Sequence, residues 1–64
     1  MADLYRQLTR ILRDNGFEIK RHAKGDHELW WNRSKNKHTL VDRNSKSTVT
    51  ANAALKKAGL PKAF

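Results

Sequence analysis

His27 lies in the run Lys24-Gly25-Asp26-His27-Glu28, near the middle of a 64-residue chain with 14 lysines and arginines against six aspartates and glutamates. An imidazole titrates ordinarily at about 6.5, so near neutral pH it is mostly uncharged yet able to accept a proton. RNA-cleaving chemistry needs such a group. The substrate carries its own nucleophile, the 2′-hydroxyl. A protein has only to remove that proton, support the charge building on the phosphorus centre and protonate the departing 5′-oxygen. Lysine and arginine suit the second task, and Gly25 lets the backbone approach a phosphate closely. The same local chemistry also fits a polar surface residue at a strand start, which is the commoner fate of a lone histidine.

Other chemistries find less support. No serine sits in a nucleophile-elbow context, and three widely separated glycines cannot form a phosphate-cradling loop. The absence of cysteine excludes disulfides and thiolate zinc sites. His22 and His27 flank a turn with Asp26 and Glu28 nearby, but the set has no recognised ligand spacing and the surrounding lysines oppose a cation. No metal or cofactor is expected. Trp30 and Trp31 are adjacent on an extended segment and must point to opposite faces. One belongs to the core; the other is free to stack on a base or pack against a protein partner.

A formal net charge of +8 on so small a chain calls for a polyanion or an acidic partner, and nucleic acid fits best. General solubility charge is the plainer alternative. A membrane surface fits less well, because the cations are spread through the chain and not gathered on one amphipathic helix. No long apolar run suggests a signal peptide or a membrane span, so a cytoplasmic protein is expected.

The elements that must position these residues are legible from hydrophobic period. Leu4, Leu8, Ile11 and Leu12 form one helical face, with Asp3 as N-cap and Asn15-Gly16 as a left-handed ending that folds Phe17 onto Leu12. Arg6, Arg10 and Arg13 make a separate stripe, either solvated or facing RNA. From Phe17 the period becomes two: Phe17, Ile19 and Arg21 alternate with Glu18, Lys20 and His22. Ala23-Lys24-Gly25 turns the chain into a second strand, Asp26 to Asn32. His27, Leu29 and Trp31 share one face of it, with Glu28 and Trp30 on the other. Arg33 to Asn36 connect to a third strand, Lys37 to Asp42. Arg43 to Val49 reads as turn, and Thr50 as the cap of a second helix that buries Ala51, Ala54, Leu55 and Ala58. Gly59 closes that helix, Leu60 can contact Leu55, and Pro61 prevents continuation. One domain over residues 1–64 is expected, of α+β class. Two helices pack on one face of a three-stranded antiparallel meander, and the other face is left for solvent or ligand.

In this order and spacing the chain resembles the HicA-type mRNA interferase toxins of toxin–antitoxin pairs. The likeness runs through Leu12-Arg13-Asp14-Asn15-Gly16-Phe17, then Gly25-Asp26-His27, then Leu55-Lys56-Lys57-Ala58-Gly59-Leu60. The resemblance implies a double-stranded-RNA-binding-domain-like α-β-β-β-α fold and metal-independent cleavage of mRNA by one essential histidine, here His27. It also implies a HicB-like antitoxin that masks the basic surface. One departure is visible. Where many members carry Val-Pro-x-His after the third strand, this chain has Val41-Asp42-Arg43-Asn44, and His38 is no obvious substitute. Proximity and charge make Arg21, Lys24 and Lys37, with Gly25, the candidate phosphate contacts. Two rivals stand beside the nuclease reading: a non-catalytic double-stranded-RNA-binding module, and a basic surface that docks an acidic protein.

Overall fold

The computed structural model describes residues 3–44 and 47–64 of the chain, so residues 45 and 46 of the expected 43–49 turn lie outside it, as do residues 1 and 2. Helix α1 spans Leu4–Asp14, and the Asp3 carboxylate accepts the Arg6 N–H at 3.2 Å, the expected N-cap. Its end is a Schellman motif. The Phe17 N–H bonds the Leu12 carbonyl at 2.9 Å and the Gly16 N–H bonds that of Arg13 at 3.0 Å, which needs the left-handed φ of +85° that Gly16 supplies. Only Gly16 is left-handed; Asn15 has φ −106° and uses its side chain to bond the Ile11 carbonyl. Phe17 and Leu12 are both buried in the core, as the ending requires.

Three strands follow: β1 (Glu18–His22), β2 (His27–Asn32) and β3 (Lys37–Asp42), paired antiparallel in the order β1-β2-β3. Phe17 precedes β1 and Asp26 precedes β2, so both strands start one residue later than expected. The β1–β2 connection spans residues 23–26 and is closed by the Ala23 N–H on the His27 carbonyl, with Gly25 left-handed at φ +70°. Glu28, Trp30 and Asn32 of β2 and Thr39 and Val41 of β3 turn inward and are buried beneath the helices. The simple alternation expected for β1 fails at one point. Glu18 pairs with Trp31 and Ile19 with Trp30, but Arg21 pairs with Leu29, so a bulge at Lys20 adds a residue. Arg21 thereby leaves the face of Phe17 and Ile19 and joins the open face with Leu29 and Trp31.

Helix α2 spans Thr48–Lys57 and is capped by Ser47, whose hydroxyl accepts the Thr50 N–H. Thr50 is therefore inside the first turn and not the cap; it supplies the backbone donor that Ser47, three residues earlier, accepts. Leu60 N–H to Leu55 carbonyl at 2.8 Å and Gly59 N–H to Lys56 carbonyl at 3.0 Å repeat the ending of α1. Ala51, Ala54 and Ala58 let α2 lie close over β3, where the Thr39 hydroxyl donates to the Ala54 carbonyl at 2.7 Å. Leu8, Leu12, Phe17, Trp30, Val41 and Leu55 complete the core between helices and sheet. The result is an α-β-β-β-α domain of α+β class, with one sheet face covered by two helices and the other open. Among the described residues no helix is long and apolar enough to cross a membrane.

Candidate functional site

The phase of the β2–β3 ladder determines which side chains meet on the open face. The Arg43 N–H bonds the Asp26 carbonyl at 3.0 Å, which marks that pair as a hydrogen-bonded position of the ladder. The pairs His27/Asp42, Leu29/Leu40 and Trp31/His38 consequently fall at the narrow, non-hydrogen-bonded positions, where side chains approach most closely. These three pairs run the length of the open face, and β1 adds Lys20 and Arg21 beside them.

His27 opens β2 and is exposed. Its Nδ1 lies 3.2 Å from the Lys24 carbonyl oxygen. A carbonyl can only accept, so in the neutral ring Nδ1 carries the proton and Nε2 presents its lone pair outward. The loop that makes this bond is the one Gly25 permits, which links two of the candidate positions to the orientation of a third. Asp42, opposite, is engaged by the Asn44 N–H at 2.9 Å, and the Asn44 amide also donates to Asp26. The loops flanking the histidine are thus joined to each other.

Glu28, one residue on, points the other way and is 2% exposed. It accepts the Tyr5 hydroxyl at 2.7 Å and the Trp30 indole N–H at 3.1 Å, and Arg43 Nε lies 3.7 Å from its second oxygen. Burial, then the bond to Glu28 and its charge, raise the Tyr5 phenol above its ordinary value near 10. This network ties α1 to the start of β2 directly behind His27. Trp30, fully enclosed with Arg13 over its ring at 5.2 Å, is the core tryptophan. Arg13 nevertheless stays exposed on α1 together with Arg6 and Arg10, and the three line one groove on that helix surface.

The candidate phosphate contacts are not brought together as a set. Arg21 lies on the open face and, with Ala23, Leu29, His38, Leu40 and Lys57, lines a shallow depression of about 370 Å³. Lys24 and Gly25 sit in the loop beside His27. Lys37 pairs with Asn32 at the opposite end of the ladder, on the helix-covered side, and its side chain lies against Gly59. Sequence reasoning overlooked Lys20 and Arg33, which flank Trp31. Arg33 follows Trp31 by two residues and was findable from strand period. Lys20 shares the face of Glu18, which pairs with Trp31, and so was equally findable once that register is known.

A small α+β domain with one helix-covered sheet face and an open face bearing an outward histidine among cations is the class these features define. A family profile described as HicA toxin of bacterial toxin–antitoxin matches residues 5–60, and the chain belongs to that family. Its role is that of the toxin in a toxin–antitoxin pair, with an antitoxin as its partner. No curated protein and no solved structure matches the chain.

Proposed function

We propose that this toxin is a metal-independent endoribonuclease that binds and cleaves mRNA in the cytoplasm, and that a HicB-like antitoxin neutralises it. The observation that carries the reading is the tethered imidazole of the exposed His27, with Nδ1 on the Lys24 carbonyl, which leaves the lone pair of the neutral ring on Nε2. Nε2 is the atom that exchanges the proton in this reading. As base it takes the proton of the 2′-hydroxyl, whose oxygen then bonds the adjacent phosphorus. The P–O bond to the 5′-oxygen breaks, leaving a 2′,3′-cyclic phosphate and a free 5′-hydroxyl once that oxygen is protonated. Because the nucleophile belongs to the RNA, no metal-bound water is required. Arg21 and Lys24 supply positive charge near the phosphate, and Gly25 keeps the loop free of a side chain there. The lysine tether has a defined consequence: the ring cannot turn without giving up a hydrogen bond, so the proton-accepting nitrogen stays aimed outward.

Purified protein incubated with RNA in excess EDTA should generate cyclic-phosphate ends, and a 2′-deoxy nucleotide at the cleaved position should block the reaction. His27→Ala should reduce cleavage by at least about 10²-fold, the lower range for general acid–base catalysis, with an unchanged circular dichroism spectrum. Undiminished cleavage by His27→Ala would overturn the assignment. Salt-sensitive RNA binding with no cleavage by the parent protein would favour the binding-module alternative.

A further inference from the structure

The open face carries a second constellation that proton transfer at His27 does not use. Trp31 stands four residues along β2 from His27, about 13 Å at the usual strand rise. Its ring stacks beside that of His38, with centroids 6.3 Å apart and planes inclined by 24°. The Lys20 ammonium lies 4.9 Å from the indole centroid and the Arg33 guanidinium 5.4 Å. Lys20 Nζ also lies 3.4 Å from His38 Nε2, to which it donates. Between this cluster and His27 the floor is apolar: Leu29 faces Leu40, which is 44% exposed, and Arg21 and Lys57 border the depression. Glu18 pairs with Trp31 from β1, outnumbered there by Lys20 and Arg33.

Trp30 already fills the core, and Trp31, half-buried on the open face, keeps part of its indole available to a ligand. An aromatic surface bordered by cations complements a nucleotide, which offers a flat π face and an anionic phosphate together. A base inside a duplex has both faces covered by its neighbours, whereas an unpaired base can be splayed onto such a ring.

We propose that Trp31 and His38 form a stacking subsite for one unpaired base, two ladder pairs from His27, with Lys20 and Arg33 engaging the flanking phosphates. Single-stranded RNA, and not duplex, is then the preferred ligand of this face. The proposal rests on the reading of the chain as an RNA-directed toxin and specifies the form of RNA that it takes.

The test uses full-length protein carrying His27→Ala, so that RNA is not consumed, and compares Trp31, Trp31→Ala and Trp31→Phe at fixed salt. The probes are a labelled single-stranded oligouridine and a labelled RNA duplex of equal length. Trp31→Ala should bind the single strand about 5- to 150-fold more weakly, or roughly 1–3 kcal/mol at 1.4 kcal/mol per tenfold. Trp31→Phe should restore most of that, and duplex affinity should not change. Equal single-strand affinity for all three proteins overturns the proposal, as does an equal loss on the duplex. Loss of antitoxin binding with RNA binding intact also overturns it, because the indole then serves a protein partner. The two readings fail separately. Trp31-dependent binding of single strands without cleavage by the parent protein removes only the nuclease. Cleavage with Trp31-independent binding removes only the subsite.

Discussion

Replacing Glu28 with alanine should be among the most damaging single changes in this protein, and the structure allows the cost to be worked out. The Trp30 indole N–H is enclosed and loses its acceptor, which costs about 1–3 kcal/mol for a buried donor left unsatisfied. Tyr5 is half-buried, so its hydroxyl can turn to water and loses about 0.5–1 kcal/mol. The Arg43 pair adds little, about 0–0.5 kcal/mol, because the arginine side chain is 57% exposed and the separation is 3.7 Å. Removing a carboxylate that had to leave water returns part of this. The net loss is about 2–3 kcal/mol, against a total of roughly 3–5 kcal/mol for a core of this size. Glu28→Gln keeps an acceptor oxygen for the indole and should cost about 1 kcal/mol or less. Urea unfolding followed by tryptophan fluorescence and far-ultraviolet circular dichroism measures both. An alanine variant within about 0.5 kcal/mol of the parent would refute the reasoning, since that is the range of ordinary surface substitutions. Equal destabilisation by alanine and glutamine would refute it differently, by making the charge and not the acceptor the stabilising element.

Two further predictions concern the same scaffold. Tyr5 is the single tyrosine of the chain, so phenolate absorbance reports it alone, and it should titrate above the ordinary value near 10. Below that value both folded and unfolded chains hold the proton and the stabilisation is fully present. As pH rises through it the unfolded chain loses its proton first, so stability falls until the folded phenol also titrates. Tyr5→Phe should remove that part of the alkaline loss; an unchanged alkaline profile would contradict the linkage. The Asn52 side chain accepts the Ala63 and Phe64 N–H groups at 3.2 and 3.0 Å and donates to the Phe64 carbonyl at 2.9 Å. Asn52→Ala should cost about 1–2 kcal/mol and release those two amides to fast hydrogen exchange. Protection equal to the parent's would show that Phe64 packing alone holds the segment.

Much of this architecture was readable because each element obeys a single period. The leucine stripe of α1, both glycine-terminated helix ends and the opposite facing of the two tryptophans follow from local geometry. What escaped depends on partners far along the chain. Period two separates Trp30 from Trp31 without saying which is core. That choice follows from the acceptor Glu28 and from the side on which the helices dock, neither visible locally. A buried Glu28 contradicts the usual surface habit of glutamate, and its partner Tyr5 lies 23 residues away. The bulge at Lys20 has no glycine to announce it, yet it moves Arg21 to the other face. Ser47 and Thr50 are both competent caps, and backbone geometry after Ser47 decided between them. At the candidate site, residue type singles out His27 and its loop. Lys37 was chosen for charge and nearness in sequence, and the ladder register separates it from the histidine by the length of a strand.

The alternation along β2 explains how so short a chain can serve stability and function at once. At the even positions Glu28, Trp30 and Asn32, the side-chain polar groups bond within the protein: two donors onto Glu28, the indole N–H among them, and the Asn32 amide between the Asn15 carbonyl and the Lys35 N–H. At the odd positions His27, Leu29 and Trp31, the surfaces that could meet a ligand are turned outward. A strand separates its duties this cleanly only when its two sheet faces have unlike neighbours, here two helices on one side and solvent on the other. One covered face is then sufficient to hold the core, and the cations of the other can lay their stems along the sheet while presenting charge. Substitutions at odd positions should therefore alter ligand binding with little change in stability, and those at even positions the reverse. A loss of activity that tracked stability at His27 or Trp31 would show that the two faces are not independent, and would remove the physical basis for reading the open face as a site.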